Sequence, residues 1–256
     1  MIGNKVEIDF PPKRIVSLVP SQTELLYDLG LNEEVVGITK FCVHPDEWFR
    51  SKKRVGGTKT VHIDIVKSLQ PGLIIANKEE NTKEQIEELS ALFPVWVSNI
   101  HTIDEGLYMI HEVGKMVGQA EKADLLAKEI KKNFASLRQA QDNKKKKKRV
   151  AYFIWRKPWM CVGGDTFISN MIETIGWENV LVDKMRYPEI GLEELKDKKP
   201  GLILLSSEPY PFKEAHIAEI QAVLPDAEVM LVDGEMFSWY GSRMKVAVKY
   251  VEKLIV

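Results

Sequence analysis

The chain has 256 residues, of which 45% are hydrophobic and 29% are charged, and its formal net charge is −1. This composition is typical of a globular protein that buries its own core, and it excludes collagen-like and disordered chains. A net charge this close to zero gives no general attraction to nucleic acid or to anionic lipid, so we expect neither as a partner.

The two cysteines, Cys42 and Cys161, are too few for a disulfide framework, and neither lies in a CxxC pair. We therefore predict two free thiols. The N-terminal stretch MIGNKVEIDFPPKRIVSLVPS has no signal-peptide pattern, and no apolar run is long enough to cross a bilayer. As written, the sequence predicts a cytoplasmic protein without membrane insertion, or a periplasmic or cell-surface protein if an export signal has been trimmed.

Short apolar runs alternate with helical patterns along the chain. Runs of this kind, without polar alternation, are typical of parallel strands covered by helices on both faces, so the predicted fold class is α/β with parallel sheets. The predicted strands are RIVSLV (14–19), VVGIT (35–39), GLIIA (72–76), PVWVS (94–98), VAYFIW (150–155), MCVGG (160–164), GLILLS (201–206) and EVMLVD (228–233).

A long helical segment separates the two sets of strands. Residues 102–143 repeat their apolar side chains at helical spacing, and Gly118 predicts a break or kink. We therefore predict an N-terminal lobe over 1–102, a linking helix over 103–143 and a C-terminal lobe over 144–256. The basic run KKKKKR (144–149) has no interleaved aromatic residues, so it predicts a solvated loop rather than a nucleic-acid patch.

Each predicted lobe contains one copy of an internal repeat. IDIVKSLQPGLIIANKEE matches LEELKDKKPGLILLSSEP, and Pro71 and Pro200 lie 200 − 71 = 129 positions apart. Each copy predicts a short helix, a Pro-Gly turn, a buried strand and a polar loop. Ligands of open parallel sheets bind beyond the carboxyl ends of the strands, so two such lobes predict a ligand cleft between them.

In the first lobe, the loop after strand 14–19 predicts a helix start. Ser21 and Glu24 have the spacing of a capping box, and the free N–H groups of such a helix end can hold a ligand oxygen. Capping alone and capping with a ligand contact both remain open. The next loop contains Cys42 and His44, but one histidine and one cysteine are a weak metal signal, so we expect no dedicated metal site.

The loops of the second lobe are rich in aromatic residues and arginine. So many rings at one rim predict a large, flat, partly apolar ligand held by ring faces and a few polar groups. The predicted ligand-binding residues of both lobes are Ser21, Gln22, Phe41, His44, Trp48, Asn77, Trp155, Arg156, Trp159, Met160, Tyr187, Tyr210, Met236, Phe237, Trp239 and Arg243.

Sequence motifs for catalysis are missing. The chain has no GxSxG, P-loop, GxGxxG or HExxH motif, so we do not expect an enzyme. VGGDT (162–166) resembles a phosphate-binding turn only faintly and predicts a helix N-cap at Asp165 or Thr166.

A set of motifs in fixed order carries a family resemblance. RIVSLVPSQTELLYDLGL, VVGIT, HP, VGGTK, the Pro-Gly-Leu-Ile strand, one helical linker, RYPEI and PGLILL resemble the class III periplasmic substrate-binding proteins, the helical-backbone metal receptors that serve ABC importers. The resemblance implies two Rossmann-like lobes joined by one long backbone helix, with the ligand in the cleft. It also implies a corrinoid, haem or ferric-siderophore ligand and an ABC permease as partner. We expect no covalent cofactor and a monomer.

The cobalamin-binding branch of that family is the most similar in motif spacing. The resemblance places its pocket aromatics on His44, Tyr187 and Met236, which is next to Phe237. It places the permease-docking carboxylate of the second lobe on Glu193. In the first lobe the docking position falls on Lys83, where the charge is reversed, so either Glu84 takes the role or docking differs.

A cytosolic enzyme or a corrinoid- or haem-handling protein on the same scaffold is the alternative. Its candidate chemical residues are Cys42, His44, Asp165 and Arg243.

Overall fold

The computed structural model describes residues 7–142 and 147–255, which form two compact units. The first unit contains the described residues up to Ile100, together with Glu105–Glu129 and Trp239–Arg243. The second contains His101–Asp104, Ile130–Ser238 and the described residues from Met244 onward.

A five-stranded parallel sheet forms the centre of the first unit. Its strands are β1 (Ile15–Ser17), β2 (Val35–Ile38), β3 (Lys53–Arg54), β4 (Leu73–Asn77) and β5 (Val95–Ser98), in the order β3-β2-β1-β4-β5. Because all pairs are parallel, the carboxyl ends of the strands lie at one edge. The helices connecting them are α1 (Pro20–Asp28), α2 (Asp46–Ser51), α3 (Ile63–Leu69) and α4 (Lys83–Ser90).

The helical segment predicted between the two sets of strands forms as two helices, α5 (Ile103–Met116) and α6 (Ala120–Asp142). Gly118 lies between them with φ +74°, in the left-handed region that glycine adopts without strain. The predicted break at Gly118 is therefore confirmed. None of the helices described within 7–142 or 147–255 is both long enough and apolar enough to cross a bilayer.

The second unit contains β6 (Arg149–Trp155), β7 (Met160–Cys161), β8 (Glu178–Asn179), β9 (Leu202–Ser206) and β10 (Glu228–Val232). β10, β9 and β6 are parallel neighbours, while β8 pairs in parallel with the start of β6. The helices of this unit are α7 (Phe167–Thr174), α8 (Leu192–Asp197), α9 (Glu214–Gln221), α10 (Glu235–Ser238) and α11 (Met244–Ile255).

Every predicted strand overlaps a strand of the structure, but one prediction about pairing is wrong. MCVGG (160–164) forms only the two residues of β7, and these pair antiparallel with the end of β6. Residues 156–159 form the whole connection between the two strands. A parallel crossover needs a dozen or more residues, so a hairpin is the available arrangement. The two-residue strands β3 and β8 were not predicted, because they are too short to show a pattern.

The internal repeat has the same backbone in both units. Gln70, with φ 44°, is the C-cap residue of α3, and Lys199, with φ 48°, occupies the corresponding place after α8. In each copy the proline follows this left-handed residue. The N–H of the glycine after the proline then donates to the residue at or just before the start of the neighbouring strand. Gly72 N donates to Arg14 O at 2.8 Å, and Gly201 N donates to Arg149 O at 2.9 Å. The predicted helix-turn-strand unit is therefore confirmed.

The structure adds an arginine to each copy of this unit. Arg14 Nε donates to Leu69 O, at the end of α3, over 2.7 Å. Arg149 Nη2 donates to Lys198 O, just after α8, over 2.8 Å. Each arginine thus places positive charge at a helix C-terminus, where the carbonyl groups carry partial negative charge. The sequence comparison missed these residues because they precede the matched segments.

The basic run lies partly outside the described residues, since 144–146 are not among them. Lys147 and Lys148 lie in a loop, and Lys148 Nζ pairs with Glu228 Oε2 at 2.8 Å. Arg149 is the first residue of β6 and pairs with Glu178.

The capping box predicted at Ser21 is wrong. α1 begins at Pro20 after the N-cap residue Val19, and no side chain caps it. Proline is well suited to the first helical position because its fixed φ matches the helix and its missing N–H is not needed there. Ser21 therefore lies inside the helix, and Glu24 is free to make a different contact.

Candidate functional site

Buried amide side chains organise the carboxyl edge of the first sheet. Gln22 Nε2 donates to Ser98 Oγ at 2.5 Å, and Asn77 Nδ2 donates to the same oxygen at 3.0 Å. The N–H of Asn77 donates to Asn81 Oδ1 at 2.8 Å. Asn77, a predicted ligand contact, is therefore buried and holds its own loop in place.

The segment Trp239–Arg243, here called the return segment, packs in the first unit, although α10 and α11 on either side of it belong to the second. Arg243 makes a bidentate ion pair with Glu24, with Nε–Oε2 at 2.8 Å and Nη2–Oε1 at 2.6 Å. The Arg243 guanidinium also lies over the ring of Trp239, 4.9 Å from its centroid. His44 meets the same ring edge-on at a centroid distance of 5.6 Å.

The Glu24 carboxylate is largely buried in this arrangement. Burial raises the pKa of Glu24, while the hydrogen bonds and the positive charge of Arg243 oppose that rise. His44, Trp239 and Arg243, all predicted from the sequence as ligand residues, are thus brought together in one cluster. Glu24 joins them, and no local pattern could have predicted this because the ion pair spans 219 positions.

Tyr240 covers the N-terminus of α1. Its hydroxyl interacts with the side chains of Ser21 and Gln22, and burial raises its pKa well above the usual range. Gly241 has φ +102°, and a Cβ there would lie 3.3 Å from Ser21 O, so the return segment approaches the helix closely. Among the described residues, the buried atoms Gln22 Oε1 and Ser242 Oγ have no hydrogen-bond partner.

The predicted ligand residues in the loop after β2 and in α2 differ in exposure. Trp48 is fully buried, and its Nε1 donates to Asn32 Oδ1 at 3.2 Å, so in this structure it is a core residue. Phe41 is 50% exposed and His44 is half-buried.

Cys42 is also buried, and Thr23 Oγ1 donates to its Sγ at 3.1 Å. Burial raises the pKa of the thiol, which keeps it protonated and makes it a poor nucleophile.

In the second unit, the predicted aromatic residues Trp155, Trp159 and Tyr210 form one cluster of rings with Phe153 and Phe212. Trp159 stacks on Phe212 with the ring planes 5° apart and the centroids 6.0 Å apart, and Phe153 meets Trp159 edge-on. Trp155 meets Tyr210 at 5.6 Å and remains 39% exposed. This cluster lies at the end of β6, where Phe153 and Phe212 are part of the hydrophobic core and Trp159 and Tyr210 pack against it.

The other predicted residues of this unit vary in exposure. Phe237 is fully buried, 5.2 Å from the ring of Tyr152, so it is a core residue in this structure. Met160, Tyr187 and Met236 are half-buried.

Arg156 makes a bidentate ion pair with Glu219, with Nε–Oε2 at 2.9 Å and Nη2–Oε1 at 3.0 Å.

A cavity of about 330 Å³ lies in the second unit, near the N-terminus of α7. His101 Nδ1 lies 3.1 Å from Asp165 O, and the N–H of Arg186 donates to Asp165 Oδ1 at 2.5 Å. Thr166 is the N-cap of α7 and accepts from the N–H of Ser169, as one of the two sequence predictions for this turn had it. The cavity is lined by His101, Thr102, Gly164, Asp165, Asn170 and Glu173.

Within 7–142 and 147–255, no three histidine, cysteine, aspartate or glutamate side chains are grouped so that they could hold a metal ion. The second cysteine, Cys161, is buried, and burial raises its pKa well above the usual thiol value.

Comparison with known proteins gives relatives over most of the chain. It is 29% identical over 206 residues to the uncharacterized ABC transporter substrate-binding lipoprotein YvrC of Bacillus subtilis, covering 78% of this chain and 65% of the lipoprotein. It is 25% identical over 198 residues to the vitamin B12-binding protein of Vibrio parahaemolyticus, covering 77% of this chain and 71% of that protein. The chain thus spans about two thirds of the length of these relatives.

Solved structures share the fold almost from end to end. The periplasmic vitamin B12 binding protein BtuF of Vibrio cholerae superposes with a TM-score of 0.80 at 25% identity, covering 95% of this chain and 96% of that one. A possible iron-binding periplasmic solute-binding protein from Staphylococcus epidermidis has a TM-score of 0.82 at 22% identity, covering 96% and 99%. At residues 15–225 the sequence matches the family model described as periplasmic binding protein, and the chain therefore belongs to the periplasmic binding protein family.

Proposed function

We propose that the chain is the substrate-binding protein of an ABC importer and that its ligand is a metal chelate of the corrinoid, haem or ferric-siderophore class. The observation that carries the proposal is the family match over residues 15–225, on a structure with two units whose sheets are mainly parallel. The named relatives and neighbours are binding proteins, so we propose no catalytic activity.

The proposed place of action is outside the cytoplasm. It is supported by the names of the relatives, which are periplasmic proteins or a lipoprotein. The cytosolic alternative has no such support.

Side chains with accessible surface at the carboxyl edges of the sheets are the proposed ligand contacts. Phe41 and His44 follow β2, while Trp155 ends β6 and is exposed. Tyr187 and Met236 are half-buried in loops of the second unit. Trp48 and Phe237 would act only by supporting these loops, because neither has exposed surface.

Docking to a permease is the second part of the proposal, and the repeat indicates which carboxylates take part. Glu193 is exposed in the first turn of α8. Its equivalent in the first unit is residue 193 − 129 = 64, and Asp64 occupies the first turn of α3 with a 99% exposed side chain. Lys83 and Glu84 lie instead on α4, which follows β4 and is not the counterpart of α8.

We therefore propose Asp64 and Glu193 as the docking pair, in place of Glu84 and Glu193. Lys83 lies 3.6 Å from Glu87, so its positive charge is balanced within α4. Charge reversal tests the choice: Asp64→Lys and Glu193→Lys should each weaken binding to the cognate permease in lipid nanodiscs, since rim charges govern association. If Glu84→Lys weakens binding and Asp64→Lys does not, the α4 position is the correct one.

A thermal-shift panel tests the ligand class. Cyanocobalamin, haemin and ferrioxamine, each at roughly 100 µM, are added separately to the purified chain. A ligand that binds only the folded state raises the melting temperature in proportion to the logarithm of its concentration over Kd. At least one of the three should raise it, and a panel without any shift would contradict the proposal.

A further inference from the structure

The N-terminus of α1 has hydrogen-bonding capacity that the described residues leave unused. Proline at the first position has no N–H, and the N-cap residue Val19 offers no side-chain oxygen. The N–H groups of Ser21 and Gln22 therefore have no acceptor within the helix. Both residues are buried, with 5% and 0% exposure.

An unused acceptor lies beside these donors. Gln22 Nε2 is held by Ser98, which fixes the amide plane, and the other amide atom, Oε1, is buried without a partner among the described residues. Buried polar atoms are rarely left without a hydrogen bond, because each one costs free energy. The same helix end thus presents N–H donors and a buried acceptor at neighbouring residues.

Tyr240 closes this place in the structure. Its hydroxyl, which both donates and accepts, interacts with Ser21 and Gln22. Two residues further on, Ser242 Oγ is buried and also lacks a partner among the described residues. The return segment therefore covers the helix end, while Gln22 Oε1 and Ser242 Oγ remain without a partner among the described residues.

The charge around the helix end is unfavourable for an anion. Arg243, a basic residue of the return segment, is already paired with Glu24 through Nε and Nη2. Glu80 and Glu79 act electrostatically on Tyr240 and add to the rise in its pKa. A carboxylate would meet these negative charges and could give no proton to Gln22 Oε1. A neutral group with a carbonyl and an N–H on the same edge is not repelled by these charges, and its N–H can donate to Gln22 Oε1.

We propose that the N-terminus of α1 is a subsite for a primary carboxamide of the ligand, which takes the place of the Tyr240 hydroxyl. The carbonyl accepts from the N–H groups of Ser21 and Gln22, and the amide N–H donates to Gln22 Oε1. This rests on the proposed function and narrows it. A corrin ring carries peripheral carboxamides, whereas haem carries carboxylates. The secondary amides of a hydroxamate siderophore point their N–H and carbonyl in opposite directions.

The test is a binding titration with a matched pair of corrinoids. Dicyanocobinamide carries side-chain carboxamides, and dicyanocobyrinic acid carries carboxylates on the same ring. Wild-type protein should bind the cobinamide about 100-fold more tightly than the acid. A site that accepts a hydrogen bond from a ligand N–H rejects an analogue that lacks this N–H, because the buried acceptor is then left unpaired. Haemin and ferrioxamine complete the panel and should bind more weakly than the cobinamide.

Two variants locate the effect. Gln22→Met removes the Oε1 acceptor and should weaken cobinamide binding about 10-fold or more. Gln139→Met makes the same change on an exposed surface of α6 and should leave binding unchanged. If Gln22→Met does not fold, Tyr240→Phe serves instead. It removes the hydroxyl whose place the carboxamide takes and should tighten cobinamide binding, whereas unchanged or weaker binding would overturn the subsite.

The outcomes separate the two proposals. Preferred binding of haemin, of ferrioxamine or of the carboxylate corrinoid would overturn the carboxamide subsite and leave the import function standing. An unchanged affinity in Gln22→Met would also overturn the subsite. Failure of all four compounds to bind would contradict the subsite and the ligand class together.

Discussion

Arg243 shows how a single side chain can stabilise one part of the first unit. It is 8% exposed, and its guanidinium pairs with Glu24 while lying over Trp239. Removing one partner of a buried pair leaves the other charged and desolvated, so we expect Arg243→Ala to lower the free energy of unfolding by about 3 kcal/mol. Urea denaturation measures the change.

Arg156→Ala is the matched control, because Arg156 makes the same two-pronged contact with Glu219 at a more exposed place. Its effect should be much smaller, since water screens exposed pairs. Equal losses in the two variants would show that burial does not decide the strength of the Arg243 pair.

The two cysteines test burial directly. Both are fully buried, and burial raises the pKa of each thiol. We expect neither to react with Ellman's reagent in the folded protein at pH 8, and both to react in denaturant. Because the folded thiols keep their protons to higher pH than unfolded ones, the free energy of unfolding should also fall as the pH rises through the ordinary thiol pKa of about 9. Rapid reaction of one thiol in the native state would contradict its burial.

Ser242 and Ser206 are a matched pair of buried serines. Ser206 Oγ accepts from the Tyr152 hydroxyl at 3.1 Å and donates to Glu208 O, whereas Ser242 Oγ has no partner among the described residues. We expect Ser206→Ala to lower the free energy of unfolding by about 1 kcal/mol, and Ser242→Ala to leave it unchanged or to raise it. Thermal denaturation of both variants checks this, and a larger loss for Ser242→Ala would show that its hydroxyl is bonded in solution.

At the scale of elements, the break between α5 and α6 depends on one glycine. Gly118 has φ +74°, and a Cβ there would lie 3.3 Å from Pro11 Cβ. We expect Gly118→Ala to lower the free energy of unfolding by about 1–2 kcal/mol, the cost of a left-handed conformation for an L-residue. At Gly72, φ is not positive and a Cβ would make only an ordinary contact at 3.9 Å, so Gly72→Ala is the control with little effect. Equal stability of the two variants, measured in urea, would contradict the conformational explanation.

The strands and the repeat could be predicted because local signals determine them. Parallel strands buried on both faces produce apolar runs, and the Pro-Gly turn ends each helix of the repeat at a fixed place. The start of α1 could not be predicted from the Ser21 and Glu24 spacing. The capping-box motif does not take into account that Pro20 can be the first residue of the helix. Because α1 begins at Pro20, Ser21 lies within the helix and not at its N-cap.

The burial and the partners of the candidate site residues could not be predicted from the sequence, because they depend on distant residues. Trp48 and Phe237 look like ligand aromatics in the sequence, but tertiary packing buries them. The return segment follows β10 and would be assigned to the second unit by position alone. Its membership of the first unit depends on contacts such as Arg243 with Glu24, which no local pattern encodes.

On the scale of the whole molecule, the internal repeat explains why the two units share the same local architecture. One helix-turn-strand unit is built twice, and in each copy an arginine at the start of the central strand holds the helix end. The duplicated unit gives both sheets a carboxyl edge with loops suited to ligand binding. The two edges differ in chemistry: the first carries amides and a buried ion pair, and the second carries an aromatic cluster.

Equilibrium dialysis with absorption detection tests the central claim most directly, because cobalamin, haemin and ferrioxamine are all coloured. The purified chain is dialysed against each compound at a series of concentrations. We predict saturable binding of one molecule per chain for at least one compound, with cobalamin bound most tightly. The account would be contradicted if none of the three is retained above a control protein.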